Sequence, residues 1–398
     1  MENELKDGIS TITTPRDVIV FMHYYLPGFE SGGPLRSLAN MVELLGGEFN
    51  FHIVTCRHDL LDRTPYPGIP NDCWVSVGRA RVWYMSGGIV GAKALFHELR
   101  RLCGAPLYLN SLFDPGFSLV PLILARLGLF GRSNVVVAPR GELSPGALQL
   151  KRIKKRLFLA FANALSLYRN VHWHASTKME QADIANALFG GQSPPRMNVA
   201  CDLVLPAPRR GEEPPGDELV FLSRISRKKN LDYALRALAC CRESLSFHIY
   251  GTIEDEIYWK ECQALIRTLP AHVRAIYQGP LAPADVAQTL SRHGLFFFPT
   301  RGENYGHVIA EALAAGLPVL LSDQTPWSDV ATNGAGWALP LDDLKEFARI
   351  IDSFVSRSSQ ERARMAEGVR LYAENRLYPQ EHIEDSRRLF AKVLSNTR

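Results

Sequence analysis

Two acids and two cations in the second half of the chain are spaced to work on one ligand. Glu303 and Glu311 stand eight residues apart, and Arg224 and Lys229 five apart. The acids lie in the run from Phe296 to Ser322, which reads as buried strand, glycine-containing loop, short helix and buried strand. Phe296-Phe297-Phe298 suits a strand covered on both faces, and Pro299 closes it. A helix is expected from near Gly306, with Ile309 and Leu313 as its buried row. Gly316 is placed for a left-handed cap, and Pro318 blocks continuation before Val319-Leu320-Leu321. The N–H groups that open such a helix attract phosphate, so Asn304, Tyr305, Gly306, His307 and Val308 are candidate binding residues. Eight helical residues span about 12 Å, beyond the roughly 5–9.5 Å of a glycosidase carboxylate pair. The two glutamates are therefore expected to grip hydroxyls at opposite ends of one extended ligand.

The cations lie in Arg224-Ile225-Ser226-Arg227-Lys228-Lys229-Asn230, which follows the apolar strand Leu219-Val220-Phe221-Leu222-Ser223. At the carboxyl end of a strand, Arg224 as a fork and Lys229 as a point charge can meet one diphosphate from two sides. A loop so rich in charge also fits plain solvation. Gly251 and Gln278-Gly279 end further apolar runs on the same sheet edge.

Glu-x7-Glu after an aromatic strand, continuing Glu311-Ala312-Leu313-Ala314-Ala315-Gly316-Leu317-Pro318-Val319, resembles the nucleotide-sugar motif of the family-four retaining glycosyltransferases of GT-B fold. Gly302-Glu303-Asn304-Tyr305-Gly306-His307-Val308-Ile309 and Ser322-Asp323-Gln324-Thr325-Pro326-Trp327 are similar to a bacterial polysaccharide-assembly branch. The resemblance implies two Rossmann-like domains facing a central cleft, residues 1–210 on the acceptor side and 211–375 on the donor side, with a last helix over 376–398 packing back. It implies that Arg224, Lys229 and Glu303 are catalytic and that Glu311 holds ribose hydroxyls. Gly251, Gln278 and Gly279 would then lie at the nucleobase, and no metal or other cofactor is expected. The implied partners are a UDP- or GDP-sugar and a glycan or polyprenyl-diphosphate-linked acceptor. Two other classes share parts of this pattern. A GT-B nucleotide-sugar epimerase or hydrolase would release product without an acceptor. A periplasmic-type binding protein would need an export signal.

Length and composition agree with such a chain. The 398 residues are enough for two domains, and 46% hydrophobic with 22% charged residues is a globular balance. A net charge of +4 does not call for nucleic acid. Seven scattered cysteines without a Cys-x2-Cys pair suggest neither a disulfide framework nor zinc, and point to a reducing compartment. Met1-Glu2-Asn3-Glu4 lacks a signal-peptide apolar core, and no run is long enough to span a bilayer, so a cytoplasmic protein is expected, at most peripheral to the inner membrane face.

In the first half, the strand Val18 to Met22 leads through a loop containing Gly32-Gly33 into a helix from Leu35 with Leu38, Met41 and Leu45 as its apolar row. A second strand follows at Phe51 to Thr55. The glycines either form a plain tight turn or let the loop approach a ligand between domains. In the resembled family this loop lies near the donor phosphates and the acceptor. Further strands are expected at Ala80–Met85, Leu107–Leu109, Val135–Val137 and Val171–His174. Thr177 and Glu180 have the spacing of a capping box. His172 and His174 share a strand face, and a structural role outweighs metal binding for them. Pro139-Arg140-Gly141 stands where many relatives carry a His-containing loop, which makes Arg140 and Glu142 candidate acceptor-side residues. Lys151, Arg152, Lys154 and Lys155 lead into an aromatic, apolar helix. That cluster fits a solvated face, an anionic membrane, or a diphosphate-bearing acceptor. The Pro-rich stretch 206–217 is the clearest linker.

Overall fold

The computed structural model describes residues 16–131, 133–149, 152–206 and 216–395. Most of the expected linker and Lys151 fall outside that range. Among the described residues the first sheet has eight strands: β1 (Arg16–Phe21), β2 (Phe49–Cys56), β3 (Trp74–Val77), β4 (Ala80–Met85), β5 (Leu107–Leu109), β6 (Val135–Val137), β7 (His172–Ala175) and β8 (Met197–Val199). Their order is β3-β4-β2-β1-β5-β6-β7-β8, parallel except for the β3–β4 hairpin. The second sheet has six, β9 (Leu219–Leu222), β10 (Leu245–Tyr250), β11 (Val273–Gly279), β12 (Leu295–Phe298), β13 (Val319–Ser322) and β14 (Gly336–Leu339), in the order β11-β10-β9-β12-β13-β14. All of its pairings are parallel. The short strands β3 and β8 carry no apolar run and were not expected from sequence.

Continuous apolar strands form because both faces are covered. In β1, Val18 and Val20 join the core on one face while Ile19 and Phe21 join the core on the other. In the second domain Phe296, Phe297 and Phe298 are all fully buried in one core. Leu389, Phe390 and Val393 of the last helix, Gln380–Ser395, pack into the core of the first domain, where Phe390 meets Phe49, Phe51 and Tyr108. The C-terminus thus crosses from the second domain to the first.

Strand order decides where a ligand can sit. In the second sheet the connections run to opposite sides of β9 and β12, and in the first they run to opposite sides of β1 and β5. Loops at the carboxyl ends of such strand pairs diverge and leave a crevice. The loops after β9, β12 and β1 are the segments singled out by their chemistry, and all three face one cleft.

Candidate active site

The cleft encloses a cavity of about 320 Å³ lined from both domains. From the second domain come Arg224, Lys228 and Lys229 after β9, Gly251 after β10, Glu303 to Val308 after β12, and Glu311. From the first domain come Gly32, Gly33, Arg36, Ser37, Arg140 and Asp202.

The loop after β9 sorts its cations by direction. Arg227 is turned outward onto Glu261 (2.6 Å) and is the solvated member. Arg224 reaches Glu254 at 3.1 Å, and Lys229 Nζ donates to Glu303 Oε1 at 2.5 Å. Burial pushes the Glu303 carboxyl up, but Lys229 and Lys228 beside it outweigh burial and hold it below the usual carboxylate range. The Lys228 pKa is lowered as well, but there burial is the cause and outweighs the neighbouring Glu303 that raises it. Three of the loop's four cations therefore line the cavity, at the place where a diphosphate could take over from the carboxylate.

The loop after β12 is shaped by its glycine and its tryptophan. Gly306 caps the helix His307–Ala314 in the left-handed region at φ 82°, and a Cβ there would lie 2.8 Å from Ile309 Cδ1. Trp327, fully buried, donates its indole N–H to the Tyr305 carbonyl and fixes the loop from below. Glu311 points from this helix across the cleft to Arg36, on the helix Gly33–Leu45, and the two form an ion pair. Burial raises the Glu311 pKa further than Arg36 lowers it. His307 Nε2 lies 2.7 Å from Ser37 Oγ and 3.3 Å from Asp202 Oδ2. A Cβ on Gly33 would come 3.3 Å from the same ring, so the double glycine makes a close approach between domains rather than a plain turn.

Arg140 is buried under the cleft floor. It pairs with Asp202 at 2.5 Å and donates to Asn110 Oδ1 (2.7 Å) and the Tyr108 hydroxyl (2.8 Å). Its backbone is left-handed at φ 54°, a strained state for a side chain of this size that the surrounding bonds hold in place. His174 props up Tyr108 at 2.7 Å and donates from Nε2 to the Ala200 carbonyl (2.9 Å), and burial with nearby Arg140 takes its pKa down to about 4. His174 is structural.

Several candidates lie elsewhere. Glu142 is buried against Ser111 and the N–H groups of Leu112 and Phe113, where it ties a loop together outside the cavity lining. Gln278 and Gly279 are also outside the lining. Gln278 holds His248 at 3.0 Å, and the Gly279 carbonyl accepts from Gly251 N–H. Arg152 and Lys155 line a second cavity of about 300 Å³ with Leu148 and Leu159, and Lys154 is exposed nearby. The capping box at Thr177 is half made. Thr177 accepts from Glu180 N–H, but the Glu180 carboxylate is drawn to Ser176, Gly141 N–H and Asn304 Nδ2. That carboxylate thereby locks the first domain onto the loop after β12.

Sequence reasoning missed Arg36, Ser37, Asp202, Glu180 and Lys228. Lys228 sat in the basic loop already singled out, and Arg36 lies three residues after the double glycine. Asp202 stands in a stretch with no periodicity to give it away.

Solved structures resemble the whole chain. HepE of Anabaena, in complex with UDP and glucose, is 18% identical with a TM-score of 0.68, covering 96% of this chain and 100% of its own. Sucrose-phosphate synthase of Thermosynechococcus elongatus is 15% identical with a TM-score of 0.70, covering 96% and 100%. WaaG, a glycosyltransferase involved in lipopolysaccharide biosynthesis, is 15% identical with a TM-score of 0.62, covering 96% and 99%. The chain has the GT-B fold. Residues 208–371, a span that takes in the whole second sheet, match the family model described as "Glycosyl transferases group 1". No curated protein sequence matches the chain. No helix among the described residues is long and apolar enough to cross a membrane.

Proposed function

We propose that the chain is a retaining glycosyltransferase that moves a sugar from a UDP- or GDP-linked donor to a glycan or lipid-linked acceptor in surface-polysaccharide assembly. Residues 211–375 would bind the donor and 1–210 the acceptor. The observation that carries the reading is the convergence of Arg224, Lys228, Lys229, Glu303 and Glu311 on one cavity beside a helix N-terminus. A departing diphosphate needs positive charge that is in place before the bond breaks. Arg224, Lys229 and the N–H groups near Gly306 supply it, so the transfer is assigned no metal. Glu303 holds a donor-sugar hydroxyl and Glu311 the ribose. The leaving phosphate accepts the acceptor's proton on the face from which the sugar departs, which retains configuration. The cation-bearing loop and the group 1 match support this assignment.

The acceptor side has its own support. The helix Arg152–Ala164 exposes Ile153 (75%), Leu157 (67%) and Phe161 (63%), spaced four apart on one face. Arg152, Lys154 and Arg156 are exposed beside them, whereas Lys155 turns inward over the Phe113 ring and donates to the Ala147 carbonyl. An apolar stripe with basic flanks fits an anionic bilayer at the cytoplasmic face, where a polyprenyl-diphosphate acceptor would be presented.

Two experiments test the assignment. UDP-, GDP- and ADP-sugars are incubated with wild type and Glu311→Ala, following melting temperature and transfer to membrane extract. One nucleotide series that stabilises only the wild type supports the donor site, and equal response of both proteins refutes it. For the acceptor side, Leu157→Ser/Phe161→Ser should lose sedimentation with phosphatidylglycerol vesicles while keeping donor binding. Unchanged sedimentation rules out that surface.

A further inference from the structure

A second cluster of chemically capable side chains lies at the opposite end of the second sheet. A carboxylate oxygen of Glu218 and a ring nitrogen each of His248 and His293 fall within 4.8 Å of one another. Glu218 precedes β9 by one residue, whereas the cleft residue Ser223 follows it by one, so about 16 Å of extended chain separates the cluster from the cleft.

The backbone pins these three residues together. The Glu218 carbonyl accepts from Gly294 N–H at 2.8 Å, which sets His293 alongside it. His248 stands in β10 opposite Val220 of β9, two residues beyond Glu218. The side chains are oriented too. His293 Nδ1 lies 2.8 Å from the Thr289 carbonyl, which can only accept, so that nitrogen carries the hydrogen and Nε2 of the neutral ring carries the lone pair. The Gln278 amide lies 3.0 Å from His248 Nδ1, and with its oxygen turned to that nitrogen it accepts the Nδ1 hydrogen and leaves Nε2 the lone pair. His248 Nε2 is buried, lies 3.4 Å from Glu218 Oε2, and makes no hydrogen bond. A metal-bound histidine characteristically donates the hydrogen of its other ring nitrogen to an acceptor such as the Thr289 and Gln278 oxygens.

We propose that Glu218, His248 and His293 bind one divalent first-row transition-metal ion. Two imidazoles and a carboxylate, without thiolate, favour zinc or a similar borderline ion over calcium or magnesium. Tetrahedral bonds near 2.0–2.1 Å put ligand atoms about 3.3 Å apart. The half-exposed Glu218 side chain has the freedom to close the remaining gap. Such an ion joins the starts of β9 and β12 to the middle of β10, and acts as a clamp on the donor domain rather than in sugar transfer. The site is independent of the proposed activity.

The test uses untagged full-length protein, stripped with a chelator and titrated with Zn²⁺ or Co²⁺. Saturable uptake of one ion per chain, visible Co²⁺ d–d bands and a raised melting temperature are expected, with no such response to Mg²⁺. Gln278→Leu should weaken uptake about 10- to 100-fold, and His293→Asn or Glu218→Gln should weaken it further. Glu218→Gln changes an exposed side chain, so its folding is checked by an unaltered melting temperature without metal. Glu311→Ala should bind the ion like wild type, which separates this site from the donor site. Uptake that does not saturate, or that survives both His293→Asn and Glu218→Gln, overturns the proposal.

Discussion

Replacing Lys229 by alanine tests the arrangement of the cleft most directly, because it has two separable consequences. Lys229 Nζ and Glu303 Oε1 are 2.5 Å apart, and their side chains are only 13% and 11% exposed. Removing one member of a buried pair leaves the other charge uncompensated, at about 3–5 kcal/mol. Lys228 remains near Glu303, and Thr300 Oγ1 lies 3.3 Å from its carboxylate, which places the cost at the lower end, about 3 kcal/mol. For a domain of this size that is roughly 6–12 °C in melting temperature. Neutralising the stranded acid should restore most of it, so Lys229→Ala/Glu303→Gln melts well above Lys229→Ala alone. The second consequence, on the proposed donor assignment, is catalytic. Loss of a charge-assisted contact to the leaving diphosphate is worth about 1.5–3 kcal/mol, or about 10- to 150-fold in kcat/KM, and the double variant should not recover it. Thermal melting and initial rates on the three proteins separate the two effects. A Lys229→Ala protein that melts with the wild type, or a double variant that regains full turnover, would refute the reasoning.

Three further outcomes are expected. Gly251 has φ 144°, and a Cβ there would lie 1.8 Å from the Ser223 carbonyl oxygen. Gly251→Ala should therefore cost roughly 2–4 kcal/mol, while Gly279→Ala, with nothing within 4 Å of the added carbon, should cost only about 1–2 kcal/mol of backbone strain; chemical denaturation of both compares them. The carboxyl of Glu303 is held low, so its contribution to stability is present above the ordinary glutamate pKa and is lost as pH falls through the folded value. Glu311 is raised, so it favours the fold at acid pH and loses that contribution as pH rises through its folded value. The melting difference between wild type and Glu303→Gln should thus grow with pH, and that for Glu311→Gln should shrink. Finally, Asn304→Ala should loosen the join between domains, because Asn304 Nδ2 is 2.7 Å from Ser176 Oγ and 3.1 Å from Glu180 Oε2; faster hydrogen exchange at Gly141 and Ser176 is the readout.

How much of this was legible in the sequence depended on how local the determinant was. Strands such as Val18–Phe21 and Phe296–Phe298 announce themselves, because burial on both faces demands an unbroken apolar run. The Glu303–Gly306 loop was visible because its glycine, its proline and the helix period lie within a few residues. Arg36, Asp202 and Glu180 were not visible, since each acquires its role from a partner more than a hundred residues away or from the other domain. Glu180 shows the limit well. Its spacing from Thr177 forecast a local cap, and half of that cap forms, but a buried carboxylate is drawn to several donors at once, and Ser176, Gly141 and Asn304 together outcompete one N-cap N–H. Gln278 likewise ends the strand it was expected to end, while its side chain is committed to His248.

The cleft satisfies its own charges. Arg36 pairs with Glu311, Lys229 with Glu303, Arg224 with Glu254, and Arg140 with Asp202. On the proposed donor assignment, a diphosphate sugar entering the cleft would exchange partners rather than simply add them: phosphate oxygens would replace carboxylates on Arg224 and Lys229, and sugar and ribose hydroxyls would become donors to Glu303 and Glu311. The net gain per contact falls toward the difference between two charge-assisted bonds, well short of the full value of either. One of these groups, Glu311, also holds the domains together, since Arg36–Glu311, with Ser37–His307 beside it, joins the helix Gly33–Leu45 to the helix His307–Ala314. On the same assignment, ribose on Glu311 would release Arg36, while Asn304–Glu180 on the other side of the loop would persist. The proposed donor site and the join between the domains thus share Glu311, and a ligand that claims this carboxylate would weaken the join by the strength of the Arg36 pair it displaces.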